Sequence, residues 1–111
     1  MTIALAEQYT ISVSDIETVS VNFTRHLDNA ELLTGTPLVV EVTTSALTLG
    51  TKQRNTSSYV DRNGITVAAN KAVQFTVTGG AAGVTYTIKV TVSSDATPAR
   101  TFNRLIYLTF E

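Results

Sequence analysis

The sequence predicts an all-β protein, an immunoglobulin-like sandwich of two sheets with about seven strands. Apolar and polar side chains alternate along several short stretches, which is typical of strands that bury one face. Turn-forming residues separate these stretches, β-branched residues are abundant, and no long stretch has the spacing of an amphipathic helix. A chain of 111 residues is long enough to build one such domain around a single core.

The first fifteen residues carry mixed signals. Residues 3–6 are apolar and could begin a short helix, whereas Tyr9, Ile11 and Val13 alternate like a strand. Two interpretations stay open, an arm that docks on a neighbouring subunit or an edge strand preceded by a frayed tail. We therefore expect an N-terminal arm or edge strand over residues 1–15 and the sandwich over residues 16–111. Tyr9 and Ile11 are candidate interface residues.

Two strands and a loop are predicted next along the chain. The first strand should face the core with three alternating apolar residues, Val19, Val21 and Phe23. Residues 25–37 are polar and rich in turn formers, which predicts a loop with room for one helical turn. A second strand is expected over residues 38–44, and its alternation continues until Gly50 ends it.

The middle of the chain predicts an exposed loop and a small hairpin. Residues 51–58, TKQRNTSS, are the most polar stretch, so we expect a loop with Lys52 and Arg54 at its tip as candidate contacts to a partner. Asn63–Gly64 lies between two short apolar runs. Both residues tolerate the positive φ of a type I′ turn, which predicts a hairpin there.

The last third of the chain, residues 71–111, shows the clearest alternation. Three runs are separated by breaks at Gly79–Gly83 and Ser93–Pro98, which predicts a meander of three consecutive antiparallel strands. In the third run the core face should carry Ile106, Leu108 and Phe110.

Leu105 and Tyr107 then lie on the face opposite this core. Apolar residues there indicate that something covers them, either the N-terminal arm of the same chain or a neighbouring subunit. We favour the neighbouring subunit and assign both residues to the candidate interface.

Charge and composition restrict the partners. Eight basic and nine acidic residues are scattered along the chain and give a net charge of −1, so we expect no nucleic-acid partner. The longest apolar runs fall far short of the ~20 residues of a membrane helix, and the start lacks the pattern of a signal peptide. We therefore expect no membrane partner and synthesis in the cytoplasm. Without cysteine, neither a disulfide nor a cysteine metal site is available.

The residues suggest no catalytic, cofactor or metal site. His26 is the one histidine and has no second ligand or nucleophile nearby in sequence, so we interpret it as a solvated loop residue. Asp28 with Glu31 could form a carboxylate pair, but solvated charges are favoured because no ligand-dense loop surrounds them. The chain is not expected to be an enzyme or to need a cofactor.

Three segments carry a resemblance to a known family. They are VSVNFTRHL at Val19–Leu27, LVVEV at Leu38–Val42, and TGGAAGVTYTIKVTV. The third segment has Gly79, Gly80, Gly83 and Tyr86 at the spacing GG-x-x-G-x-x-Y, and an Arg100–Thr101 pair follows it before the last strand. With these segments, the part of the chain from Glu17 onward resembles the fibre–tail adaptor proteins of phages, which are small immunoglobulin-like virion proteins. Phe23 stands where that family usually has tryptophan.

The resemblance implies a non-enzymatic assembly role at the junction of tail or neck and fibres. The implied partners are other virion proteins, with several copies as a homo-oligomer in the particle, and the implied location is the virion. A head decoration protein that bridges capsomers is an alternative. A carbohydrate- or receptor-binding module is a further one, which the absence of tryptophan disfavours because sugar rings stack on exposed aromatics.

Overall fold

The computed structural model of the protein describes residues 7–12, 15–28, 30–42, 47–61 and 64–111, without the side chains of residues 7–9. Its sheets pack as a β-sandwich, which confirms the predicted all-β sandwich. Within these ranges the strands are β1 Glu7–Ile11, β2 Glu17–Asn22, β3 Leu33–Glu41, β4 Thr48–Arg54, β5 Tyr59–Val60, β6 Thr66–Val67, β7 Ala72–Thr78, β8 Thr85–Ser94 and β9 Thr101–Phe110.

The strands form two layers and a separate hairpin. A four-stranded sheet has the order β1-β9-β8-β3, and a three-stranded sheet has the order β2-β7-β4. β1 runs parallel to β9, and all other pairs are antiparallel. β5 and β6 pair only with each other.

The core lies between the two sheets and is filled from alternate positions of the strands. β2 with the residue after it, and β7, supply one side, with Val19, Val21, Phe23, Val73, Phe75 and Val77. β3, β8 and β9 supply the other side, with Leu33, Val39, Tyr86, Ile88, Val90, Val92, Ile106, Leu108 and Phe110. The predicted inward residues of β2 and β9 are therefore confirmed.

The predicted three-stranded meander is wrong. β7 pairs with β2 and β4, whereas β8 pairs with β9 and β3, so only β8 and β9 form a hairpin. Gly79–Gly83 carries the chain from one sheet to the other. A side chain at Gly80 would collide with the ring of Phe110, and the Tyr86 hydroxyl accepts a hydrogen bond from the Ala81 amide at 2.9 Å. These contacts hold the crossover against the core.

The predicted loop over residues 51–58 is also wrong in its first half. β4 continues through Gly50 to Arg54 and pairs with β7, with an irregular register between Gly50 and Gln53. Thr51 has a φ of 47° at this irregularity, a conformation that is costly for a β-branched residue. Gly50 therefore marks a bulge inside an edge strand and not the end of a strand.

The loop predicted over residues 25–37 is shorter than expected. A 3₁₀ turn spans Thr24–His26, and β3 already begins at Leu33, which is buried and pairs with Ser94 of β8. The register of β3 changes between Thr34 and Leu38, where Gly35 has a φ of 75°. Val39 then points into the core.

The predictions for the N-terminal segment and for the small hairpin agree with the structure in part. β1 pairs with β9 along one edge of the four-stranded sheet, as the edge-strand interpretation predicted, while residues 1–6 lie outside the described part. The hairpin after residue 58 is present, but Val60 pairs with Thr66 and the Asp61 amide donates to the Ile65 carbonyl. That register does not fit a two-residue turn at Asn63–Gly64, of which only Gly64 is described.

Candidate interaction surface

Apolar side chains cover part of the side of the four-stranded sheet that faces away from the core, which we call the outer face. β3 contributes Leu38, Val40 and Val42 beyond its end, which are 58%, 44% and 57% exposed. They alternate with buried Val39, and LVVEV has apolar residues at both parities. That double pattern is the signal in the sequence for a strand with two apolar faces.

The outer face continues across the sheet in register. Val40 lies opposite Lys89 of β8, and Lys89 lies opposite Leu105 of β9. In the next row Thr87 of β8 lies opposite Tyr107. β3 and β9 therefore place apolar side chains on either side of a narrow polar strand, and Lys89 is the charged residue among the described outer-face positions of β3, β8 and β9.

Hydroxyl groups flank this apolar part of the outer face. The Thr85 and Thr109 hydroxyls lie 2.9 Å apart at one end, and the Thr91 hydroxyl donates to Asn103 Oδ1 at 2.7 Å at the other. These cross-strand pairs link β8 to β9 on the solvent side. The outer face therefore carries two apolar strips, on β3 and on β9, separated by polar side chains of β8, and such a mixture of apolar and polar groups is common in protein–protein interfaces.

Two of the predicted interface residues meet on this surface. Leu105 is 42% exposed and Tyr107 is half-buried, both on the outer face. β1 does not lie over them, because it pairs with β9 inside the same sheet. The described part of the N-terminal segment therefore extends the sheet and does not cover its outer face.

The other four predicted interface residues lie elsewhere. Tyr9 pairs through its backbone with Leu108, and its side chain lies outside the described part. Ile11 is 3% exposed and belongs to the core, so its side chain is not available to a partner. Lys52 is exposed on β4, whereas Arg54 is half-buried at the end of β4, and neither is at the tip of a loop.

Arg54 connects three segments of the chain. Its Nε donates to the Gly35 carbonyl at 2.8 Å, and its Nη1 donates to the Leu33 carbonyl at 3.2 Å and to Asn70 Oδ1 at 2.9 Å. These bonds fasten the bulged start of β3 to the turn before β7. Beside them lies a cleft of about 170 Å³, whose lining includes Lys52.

Asn55 follows Arg54 and is buried, at 1% exposed. Its Nδ2 donates to the carbonyls of Ser57 and Ala68, at 3.1 and 2.8 Å. Its Oδ1 accepts from the amides of Lys71 and Ala72, at 3.1 and 2.9 Å. One side chain thus satisfies four backbone groups and joins the end of β4 to the start of β7.

The carboxylate of Glu31 is a buried ion-pair partner, which corrects its interpretation as a solvated charge. It is 6% exposed and pairs with the Arg100 guanidinium through both carboxylate oxygens. Hydrogen bonds from Arg100, then from the Ser94 hydroxyl and the Asp28 amide, lower the pKa of Glu31 from 4.5 to about 2. The pair ties the segment before β3 to the turn between β8 and β9.

His26 is half-buried and packs among rings, which corrects its placement as a solvated residue. Its ring centroid lies 5.9 Å from that of Phe23 and 5.7 Å from that of Phe102. Burial, followed by the positive charges of Arg104 and Arg100, lowers the pKa of His26 below 6.5. The imidazole therefore has a packing role in this cluster.

Across the described ranges, His, Asp and Glu side chains form no group of three that could hold a metal ion. In the same part of the chain, no helix is long and apolar enough to cross a membrane. Comparisons of the sequence with protein-family models, with curated proteins and with solved structures find no match.

Proposed function

We propose that this protein is a non-enzymatic structural adaptor of a phage virion. In this proposal it joins tail or neck and fibre components by docking the outer face on another virion protein. The observation that supports it most is the set of exposed apolar residues Leu38, Val40, Val42 and Leu105 on one sheet face. A concentration of exposed apolar side chains on one sheet face is typical of protein–protein contact sites.

Two features of the fold favour an immunoglobulin-like domain, the type that the family resemblance implies. The orders β3-β8-β9 and β2-β7-β4 correspond to the C-F-G and B-E-D orders of immunoglobulin sandwiches. Tyr86 lies at the start of β8, and its hydroxyl accepts from the Ala81 amide in the preceding crossover. This contact is similar to the tyrosine corner of such domains.

The chemistry of the outer face indicates what the partner must offer. Lys89 lies between Val40 and Leu105 and, within the described part, forms no ion pair. Docking would remove the Lys89 ammonium from water, which costs free energy unless a negative group replaces that water. The partner surface should therefore be apolar with a carboxylate opposite Lys89. The described outer-face positions of β3, β8 and β9 offer no carboxylate, so a second copy of this face does not supply that group. Homo-oligomeric copies in the particle would then be arranged by the partner.

Complementation of a phage that lacks a functional copy of this gene tests the proposal. The wild-type chain, supplied from a plasmid, should restore assembly and be found in purified particles by mass spectrometry. Leu105→Ser and Tyr107→Ala should reduce both by about tenfold or more, because the hot-spot side chains that dominate an interface cost about 2 kcal/mol or more when they are truncated. Their monomer melting temperatures should change much less.

Ile65→Ser is the matched control, because Ile65 is 58% exposed but follows the β5–β6 turn, away from the outer face. It should complement like the wild type. Normal assembly by Leu105→Ser and Tyr107→Ala together with a lowered melting temperature would contradict a docking role for the outer face. Absence of the chain from particles would contradict the virion role itself.

A further inference from the structure

The guanidinium of Arg54 is a fixed cation held by neutral groups. Nε and Nη1 use their hydrogens on the carbonyls of Gly35 and Leu33 and on Asn70 Oδ1. Within the described part of the chain Nη2 has no hydrogen-bond partner, and it is not buried away from water. The two Nη2 hydrogens are therefore available to a ligand.

Among the described residues, no carboxylate pairs with the Arg54 guanidinium. The ion pairs found in the described ranges are those of Arg100 with Asp28 and Glu31, and Arg54 has none. The bonds to neutral carbonyls fix the position of the Arg54 guanidinium but leave its full positive charge in place. A half-buried, pre-positioned guanidinium of this kind favours a bound oxyanion, because charge-assisted hydrogen bonds are stronger than neutral ones.

The cleft beside Arg54 supplies a second cation and enough room. Lys52 lines the same cleft and is exposed, with no hydrogen bond or ion pair in the described part. The Thr56 and Thr36 side chains are further lining groups that could donate a hydroxyl hydrogen. A volume of about 170 Å³ corresponds to about six water molecules at about 30 Å³ each, which is enough for a phosphate or a carboxylate group.

The backbone at this cleft is strained on both sides. Thr51, next to Lys52, has a φ of 47°, and Asn70, which accepts from Arg54, has a φ of 61°. Backbone strain at non-glycine residues concentrates at binding and catalytic sites, where the surrounding structure enforces it. The strain is therefore a separate observation in favour of a site between β3 and β4.

We propose that this cleft, between the bulged start of β3 and the end of β4, binds an oxyanion, the phosphate or carboxylate group of a ligand. Arg54 Nη2 and the Lys52 ammonium are the charged donors, and the Thr36 and Thr56 hydroxyls complete the site. The site is separate from the outer face, so it stands or fails independently of the adaptor role.

Nuclear magnetic resonance titrations of the full chain test this proposal. Sodium phosphate and sodium N-acetylaspartate are titrated at constant ionic strength, with sodium chloride as the reference. Saturable shifts are expected at the Arg54 Nε–H and at the amides of Lys52 and Thr56. Tighter binding of phosphate identifies a phosphate ligand, and tighter binding of N-acetylaspartate identifies a carboxylate ligand.

Lys52→Ala is the deciding variant, because Lys52 is exposed and its loss should leave the melting temperature unchanged. We expect it to weaken binding about tenfold, the effect of losing one charge-assisted hydrogen bond. Lys89→Ala on the outer face is the matched control and should bind like the wild type. Arg54→Gln should abolish the saturable shifts. Absence of saturable shifts beyond those in chloride, or equal binding by Lys52→Ala and the wild type, would overturn the proposal.

Discussion

The rings of Tyr86 and Phe110 meet edge to face, with centroids 5.5 Å apart and an interplanar angle of 88°. Tyr86 is the second residue of β8, and Phe110 ends β9, so the contact closes one end of the four-stranded sheet. The chain arriving from β7 rests on this pair, because Gly80 lies against the Phe110 ring and the Ala81 amide donates to the Tyr86 hydroxyl. The two rings thus position the connection between the sheets.

Gly80→Ala should destabilise the protein. The added methyl group would overlap the Phe110 ring, which is fully buried and cannot move freely. Overpacking of this kind costs about 1–3 kcal/mol, and at about 4 °C per kcal/mol the melting temperature should fall by about 4–12 °C. Thermal unfolding followed by circular dichroism measures the change.

A double-mutant cycle separates this clash from a backbone effect. In a Phe110→Leu background the added cost of Gly80→Ala should shrink, because the ring that it meets is gone. Gly83→Ala, which has open space but a φ of 78°, should keep its cost in both backgrounds. An undiminished cost of Gly80→Ala without the ring would show that the overlap is not the cause.

Asn55→Ala should be among the most destabilising single changes at a polar residue. It removes the partners of two carbonyls and two amides near the start of β7, of which the Ala72 amide is buried. We expect a loss of about 2–4 kcal/mol in unfolding free energy, since each buried polar group left unpaired costs about 1–3 kcal/mol. Urea denaturation measures it.

Asn103→Ala is the control for this measurement. Asn103 is exposed on the outer face and accepts one hydrogen bond, from the Thr91 hydroxyl. Its change should stay within about 0.5 kcal/mol, as is usual at surface positions. Similar losses for the two variants would mean that the four bonds of Asn55 contribute no special stability.

The Glu31–Arg100 pair should make the unfolding free energy depend on pH in the acid range. The pKa of Glu31 is about 2 in the folded chain against an ordinary 4.5, so folding favours its ionised form. This contribution is complete above pH 4.5 and disappears as the pH falls through about 2. Glu31→Gln cannot ionise and lacks the contribution, so its unfolding free energy should change less with pH over this window. Parallel pH dependences for both chains, measured by urea denaturation above pH 4.5 and near pH 2, would contradict the pairing.

Thr51→Gly should stabilise the protein. The φ of 47° at Thr51 is unfavourable for a β-branched residue and free of steric cost for glycine. We expect a net gain of about 0.5–1 kcal/mol, measured by urea denaturation, because relief of the left-handed strain exceeds the chain-entropy cost that glycine adds. Thr48→Gly, in the same strand and without a positive φ, should instead lose about 0.5–1 kcal/mol through chain entropy. A loss at both positions would indicate that Thr51 is not strained.

Alternation predicted which side chains are buried but not which strands are neighbours. The alternation at Ile106, Leu108 and Phe110 predicts their burial correctly, because a period of two depends only on one face being covered. The same pattern is expected whether a glycine-rich turn returns to the same sheet or crosses to the facing one. Gly79–Gly83 crosses to the facing sheet. The requirement for glycine at residue 80 comes from its contact with Phe110, a residue distant in sequence.

The polar segments differ from their predicted structure for another reason. β4 is an edge strand whose residues Thr51–Gln53 are exposed. This part of β4 therefore lacks the alternation of apolar and polar residues that predicts a strand. Arg54 and Glu31 look like surface charges in sequence, because the fold brings their partners to them. Arg54 bonds to Leu33 and Asn70, and Glu31 pairs with Arg100. The outer face was half predicted, through Leu105 and Tyr107, and the exposed residues of β3 complete it.

The interleaving of strands from distant parts of the chain has a kinetic consequence. β2 pairs with β7 and β1 with β9, so neither sheet can be completed until most of the polypeptide is present. Folding is slow because the entropy of closing these long loops is lost before strand pairing compensates it. For sandwiches the folding time is on the order of milliseconds to seconds. The β8–β9 hairpin, the longest local pairing described, is where a transition state should first become ordered.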